Sequence, residues 1–197
     1  MKAYRETERK YYKCQYGDWT QPVKPVNGTL GGDTFAYTAS HLWSSNYPLS
    51  NMFDNNISTL WATDGGGTYF ITIYNPQQLN VTNVAVSNYS QFYASSATVY
   101  GSDDNINWIP LGSGVANSIV DGTWNVSLNE NDKYFYYHKT VFIPTDSSLL
   151  ELTGIKLTAT KRTAEETTEE DYDFYKDIDT NTYKLLKIDE KYYGIGD

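Results

Sequence analysis

Apolar and polar residues alternate over short stretches of this chain, a period that places successive side chains on opposite faces of a β-strand. The alternation is plain in Tyr69–Tyr74 and Val81–Val86, and later in Trp124–Leu128. Turns rich in Gly, Asn, Asp and Pro separate these stretches, whereas no long stretch has the 3.6-residue period of a helix. Short strands at such regular spacing predict an all-β sandwich.

The same pattern divides the chain into four segments. We predict an N-terminal arm (residues 1–27), a β-sandwich (28–160), an acidic linker (161–171), and a C-terminal β-hairpin with a tail (172–197). A hairpin alone is marginally stable in water. We therefore expect it to pack on the arm, the sandwich or a partner subunit. The arm is either a plain polar terminus or a docking segment.

Composition narrows the function classes. A net charge of −9 argues against nucleic acid as a partner, because phosphate binding needs basic surface. The start of the chain has no apolar run, so we expect no signal peptide and no membrane insertion. Yet 19 tyrosines and a strand-rich pattern are typical of extracellular binding modules. A virion component made in the host cytoplasm reconciles these features, and an extracellular location is the alternative.

An acidic, amide-rich turn stands out ahead of the first strong strand. Asn51–Thr63 places a carboxylate, amides and hydroxyls within a few residues, and hard cations such as calcium prefer oxygen ligands of this kind. The alternative is an ordinary polar turn in which Asn and Asp bond their own backbone.

The order of motifs resembles the discoidin family, also called the coagulation factor 5/8 type C or family 32 carbohydrate-binding module. The matching residues are Phe53, Asp54, Thr59, Trp61, Val99, Ser102, Asp103 and Trp108. The resemblance covers residues 28–160 and implies a discoidin-like jelly-roll β-sandwich. The lead-in from Trp19 also resembles that of such domains in phage structural proteins.

The resemblance implies a structural calcium in the Asp54 turn. Family ligands carried over by position are the Asp54 and Thr59 side chains and the carbonyls near Met52 and Asn56. The family often adds a Glu at the start of the last strand, where this chain has Gly154.

The resemblance also implies a galactose-type sugar site in loops at one end of the sandwich. Aromatic and polar residues of two loops are the candidates: His41, Trp43, Tyr47, Asn88, Tyr89, Phe92 and Tyr93. The sandwich segment has no arginine, unlike the usual galactose pattern. In the alternative, these aromatics pack against neighbouring loops.

No catalytic motif is present, so we predict a protein that is not an enzyme. The expected function is a virion structural and adhesion protein of a bacteriophage, such as a head fibre, tail fibre or decoration protein. It would contact other virion proteins or itself through residues 1–27 and 172–197, and a cell-surface glycan through the sandwich. The alternative is a free or secreted carbohydrate-binding module.

Overall fold

The computed structural model describes residues 11–22, 26–27, 30–31, 33–64, 68–89, 91–116, 122–128, 133–145, 149–167, 174–175, 185–188 and 191–194. Strands dominate these ranges. They are β1 (Tyr11–Trp19), β2 (Val26–Asn27), β3 (Ala36–Ala39), β4 (Trp61–Ala62), β5 (Tyr69–Asn88), β6 (Ala94–Ser102), β7 (Ile109–Val115), β8 (Gly122–Ser127), β9 (Phe135–Pro144), β10 (Glu151–Thr167), β11 (Phe174–Tyr175), β12 (Leu185–Ile188) and β13 (Lys191–Gly194). A 3-10 helix, η1, spans Leu49–Phe53. Within these ranges no helix is long and apolar enough to cross a membrane.

The chain forms two compact units. One is Gly17–Arg162, and the other combines Met1–Tyr16 with Thr163–Asp197. The first unit is the all-β sandwich that the alternating pattern predicts.

The long strand β5 belongs to both layers of the sandwich. Its first part, Tyr69–Tyr74, pairs with β3 and β9, and the layer continues through β6 to β7. After a break in register between Tyr74 and Leu79, its second part pairs with β8 and β10. Pro76 lies in this break, where a residue without a backbone N–H does not interrupt a ladder.

The core lies between the two layers. Alternate residues of β5 face inward, and Tyr69, Ile71 and Ile73 are fully buried. Trp61 of β4 and Phe142 of β9 pack with them, with ring centroids 6.4 Å apart. Burying each such side chain contributes roughly 1.5–3 kcal/mol, so the alternation read from the sequence is also the main source of stability.

The turn between β6 and β7 is closed by Asp104. Its Oδ1 accepts hydrogen bonds from the backbone N–H groups of Ile106 and Asn107, at 2.9 and 2.7 Å. These bonds, led by the one from Asn107, lower the pKa of Asp104 well below its ordinary range. The sequence comparison matched Asp103 to the family aspartate. In the structure Asp104 makes the capping bonds, whereas Asp103 accepts one bond from the side chain of Gln78.

Part of the predicted N-terminal arm packs on the sandwich. The Trp19 ring lies against Phe35, with centroids 5.7 Å apart. Gln21 bonds the edge of β10 twice: its Nε2 donates to the Ile155 carbonyl at 2.9 Å, and its Oε1 accepts from the Leu157 N–H at 2.8 Å. Residues 17–22 therefore dock on their own chain rather than standing free for a partner.

The C-terminal residues include the predicted hairpin. Phe174 and Tyr175 pair with Leu186 and Leu185, and β13 adds a third antiparallel strand. The predicted linker needs a correction, because β10 continues to Thr167 with β1 as its neighbour in the sheet. Strand pairing satisfies backbone groups there that a linker would leave to water. Residues 168–171 lie outside the described ranges.

Candidate functional site

Strand register gathers several loops at one end of the sandwich, which we call the loop end. Tyr69, the first residue of β5, pairs with Phe142, and Phe142 pairs with Ala97 near the start of β6. Asn88, the last residue of β5, pairs with Leu152 at the start of β10. Because β5 changes layer midway, its first and last residues both lie at the loop end. The described loop residues that therefore meet here are 40–47, 62–64, 89, 91–93, 145 and 149–151.

The first loop carries an aromatic pair, an exposed Trp43 and a half-buried Tyr47. Trp43 is 50% exposed, and its ring stacks on that of Tyr47 with centroids 5.4 Å apart and an angle of 11°. The Trp43 N–H donates to the Ala62 carbonyl at 2.9 Å, and the Tyr47 N–H donates to the Ser44 carbonyl at 3.1 Å. The loop is thus tied to β4, and the two near-parallel rings form a platform.

His41, two residues before Trp43, is half-buried. Its ring meets Tyr69 edge-on, with centroids 5.2 Å apart, and its carbonyl accepts a bond from Trp61 Nε1 at 3.1 Å. His41 Nδ1 and the Tyr69 hydroxyl are buried, and neither has a hydrogen-bond partner among the described residues. The sequence did not single out Tyr69, whose place at the head of an alternating run indicates only a strand, and its side chain is fully buried.

The second loop is anchored to the start of β10. The Tyr89 N–H donates to the Glu151 carbonyl at 3.2 Å, and the Glu151 N–H donates to the Phe92 carbonyl at 2.8 Å. The Tyr93 carbonyl accepts from the Thr145 N–H at 3.0 Å. Tyr89 is 38% exposed, whereas Phe92 and Tyr93 are half-buried. The structure therefore brings both predicted loops to the same end, with Trp43 and Tyr89 as their most exposed aromatics.

Asn88 is a structural residue, contrary to the sequence-based prediction that it contacts sugar. It is only 1% exposed. Its Nδ2 donates to the Ala94 carbonyl at 3.4 Å, and its Oδ1 accepts from the Ala94 N–H at 3.3 Å. The amide thus joins the end of β5 to the start of β6 and is not available to a ligand.

The Asp54 turn follows η1 and precedes β4. The Asn56 N–H donates to Asp54 Oδ1 at 2.8 Å, so the turn does bond its own backbone as the simpler interpretation expects. Thr59 Oγ1 also lies 2.7 Å from Asp54 Oδ2 and 2.8 Å from the Asn56 carbonyl oxygen. A hydroxyl has one proton to donate, so three oxygens converge around a single proton. This donor set fits a hard cation such as calcium.

The Met52 side chain is buried in the core, so Met52 could offer an ion only its carbonyl. Among the described residues, no three His, Cys, Asp or Glu side chains cluster as a metal site. An ion in the turn would therefore rely largely on carbonyl, hydroxyl and single carboxylate oxygens.

A second aromatic surface lies away from the loop end. Lys139 of β9 places its Nζ 3.7 Å from the centre of the Trp108 ring and 5.2 Å from that of Phe70. Burial lowers the pKa of Lys139. Because Lys139 already covers Trp108, this surface offers less free aromatic face than the loop-end platform.

Comparison with known proteins agrees with this architecture. The F5/8 type C domain family matches residues 36–143. The structure is similar to chitosan-binding module 1 of a chitosanase/glucanase from Paenibacillus sp. IK-5, at 20% identity and TM-score 0.50 over 61% of this chain and 92% of that one. It is also similar to the family 32 module of C. perfringens NanJ in complex with galactose. The identity is 12% and the TM-score 0.54, over 63% of this chain and 93% of that one.

A third similar structure is the family 32 module of AlyQ in complex with 4,5-unsaturated mannuronic acid. It has 21% identity and TM-score 0.50 over 62% of this chain and 92% of that one. A search of curated proteins found no match. At these identities the structural likeness is a likeness of fold.

Proposed function

The chain belongs to the F5/8 type C domain family, and from that premise we propose that its sandwich binds carbohydrate at the loop end. Similar structures support the proposal, because they are carbohydrate-binding modules described with galactose, chitosan or an unsaturated uronic acid. These ligands differ widely, so the fold alone does not choose among them.

The exposed stack of Trp43 on Tyr47 is the observation that carries the proposal. A monomeric protein gains nothing in solubility from a tryptophan that is 50% exposed at a loop tip. Binding sites combine such aromatic surface with a few oriented polar groups. Here the half-buried His41 lies in the same loop as Trp43, and Tyr89 is exposed on the second loop.

A glycan array probed with the full chain tests this function. We expect binding that Trp43→Ala abolishes while the melting temperature stays close to that of the wild type. Ile106→Ala is the control, because Ile106 is 78% exposed in the β6–β7 turn, away from the loop end. Equal binding by wild type and Trp43→Ala would show that the platform does not bind the glycan.

We also propose that calcium binds the Asp54 turn through Asp54 and Thr59, with the carbonyls of Met52 and Asn56. A bound ion would neutralise the carboxylate and hold η1 against the start of β4. A ligand present at 100 times its dissociation constant stabilises the folded state by about 2.7 kcal/mol. Melting should therefore occur several degrees higher in calcium than in chelator, and Asp54→Asn should lose this difference. Identical melting of the wild type in both buffers would contradict the proposal.

A non-enzymatic adhesive role in a phage particle stays a prediction, with a free or secreted module as the alternative. The feature that favours it is the second compact unit, which adds a three-stranded sheet to the sandwich. Mass spectrometry of purified phage particles would test this role. Absence of the protein from the particles would favour the alternative, a free or secreted module.

A further inference from the structure

Charged residues are unevenly distributed over the sandwich segment. Residues 28–160 contain three lysines and no arginine against ten acidic residues. The described residues of the loops at the loop end contain no lysine or arginine; they are 40–47, 62–64, 89, 91–93, 145 and 149–151. Two of them are acidic, Asp64 and Glu151.

The described cations of the sandwich unit lie elsewhere. Lys139 is near the middle of β9, with its charge over Trp108. Lys156 is within β10, opposite Ala85. Lys161 and Arg162 pair with Leu79 and Gln78, where β5 changes layer, far along the strand from the loop end. Lys133 comes just before the start of β9, where Phe135 pairs with Leu79, so it too lies far from the loop end. No described lysine or arginine of this unit therefore faces the Trp43 platform.

We infer that the loop-end site selects sugars by charge, binding amino sugars most tightly and rejecting uronic acids and other anionic sugars. The inference rests on the proposed function and names its ligand class. A sugar carboxylate is recognised mainly by arginine or lysine, and neither occurs among the described residues of this end. An ammonium group is attracted both by the exposed Asp64 carboxylate and by the faces of aromatic rings.

The expected discrimination is modest and depends on salt. Two unit charges about 7 Å apart in water interact by roughly RT, so each nearby carboxylate changes affinity about threefold at low ionic strength. Because the same charge attracts an ammonium and repels a carboxylate, Asp64 alone gives roughly a sevenfold preference for an amino sugar over the matching uronic acid. At physiological salt the Debye length is about 8 Å, so the preference should shrink.

The experiment uses two matched series of methyl glycosides with the full chain. One series is glucosamine, glucose and glucuronic acid, and the other is the galactose equivalents. Each is titrated by NMR at low and at physiological salt. Each titration is repeated in calcium and in chelator. The comparison separates the effect of an ion bound in the Asp54 turn from that of a cationic side chain on sugar affinity. In the series that binds, we expect the amino sugar to bind most tightly and the uronic acid most weakly.

Asp64→Asn should narrow the gap between amino sugar and uronic acid roughly sevenfold at low ionic strength. Asp103→Asn, in the distant β6–β7 turn, is the matched control and should leave the gap unchanged. A uronic acid that binds as tightly as its amino sugar would overturn charge selection while leaving carbohydrate binding intact. Failure of all six sugars to bind would instead overturn the proposed function and the inference together.

Discussion

Replacing Asn88 by alanine separates the structural and binding roles of the loop end. Asn88 is a polar residue at a loop start, yet the structure buries it against Ala94. The variant Asn88→Ala removes both amide bonds, at 3.4 and 3.3 Å, and leaves the N–H and carbonyl of fully buried Ala94 without these partners.

The cost follows from those two bonds. Each is long, so we assign it the low end of the range for a lost buried hydrogen bond, about 1 kcal/mol. The total of about 2 kcal/mol corresponds to a fall in melting temperature of roughly 4–8 °C for a chain of this size. Glycan affinity measured well below the transition should not change, because the Asn88 amide faces the protein.

Tyr89→Ala is the matched control, since Tyr89 is the next residue and is exposed. It should leave unfolding within about 0.5 kcal/mol of the wild type but weaken glycan binding. Calorimetric unfolding and isothermal titration of the same preparations give both quantities. If Asn88→Ala lost binding without a change in melting, Asn88 would be a ligand and our account of it would be refuted.

Three further predictions concern the sandwich itself. Gly101→Ala would place a Cβ 2.3 Å from Phe135 Cδ2, so denaturant unfolding should show a loss of at least about 2 kcal/mol; an unchanged midpoint would contradict this packing. Burial lowers the pKa of His138 from 6.5 to about 3. Between these pH values the histidine takes up a proton only in the unfolded chain. The free energy of unfolding should therefore fall by up to about 5 kcal/mol as the pH is lowered through this range. His138→Leu should flatten that pH dependence, and a profile as steep as the wild type's would exclude His138 as its source. Gln21→Ala should speed hydrogen exchange at the Leu157 amide, whereas unaltered exchange would show that the bond from Gln21 does not protect it.

Strand content could be predicted because alternation is a local property of the sequence. Tyr69–Tyr74 alternates, and its inward residues are buried as expected. The order of motifs around Phe53 and Trp61 then predicted the sandwich, since each motif occupies a fixed place in the family fold. The extension of β10 to Thr167 could not be predicted, because the strand beside it, β1, comes from the opposite end of the chain.

The candidate site was predicted in part for the same reason. Both aromatic loops were identified from composition, and the structure places them at one end. Burial of Asn88 was missed, because an amide that binds sugar and one that bonds the backbone have the same local sequence. The stacking of Trp43 on Tyr47 was also missed, since it depends on how the loop is tied to Ala62. Such distinctions rest on contacts between residues distant in the chain.

The central claim is that glycan binds at the loop end. Mapping of backbone amide shifts by NMR, with the strongest sugar from the array titrated into the full chain, tests it most directly. We predict that the largest changes fall on Trp43, Tyr47 and Tyr89, with little change near Trp108 and Lys139. Changes centred on Trp108 and Lys139 would contradict the claim and move the binding site to the outer face of the sheet.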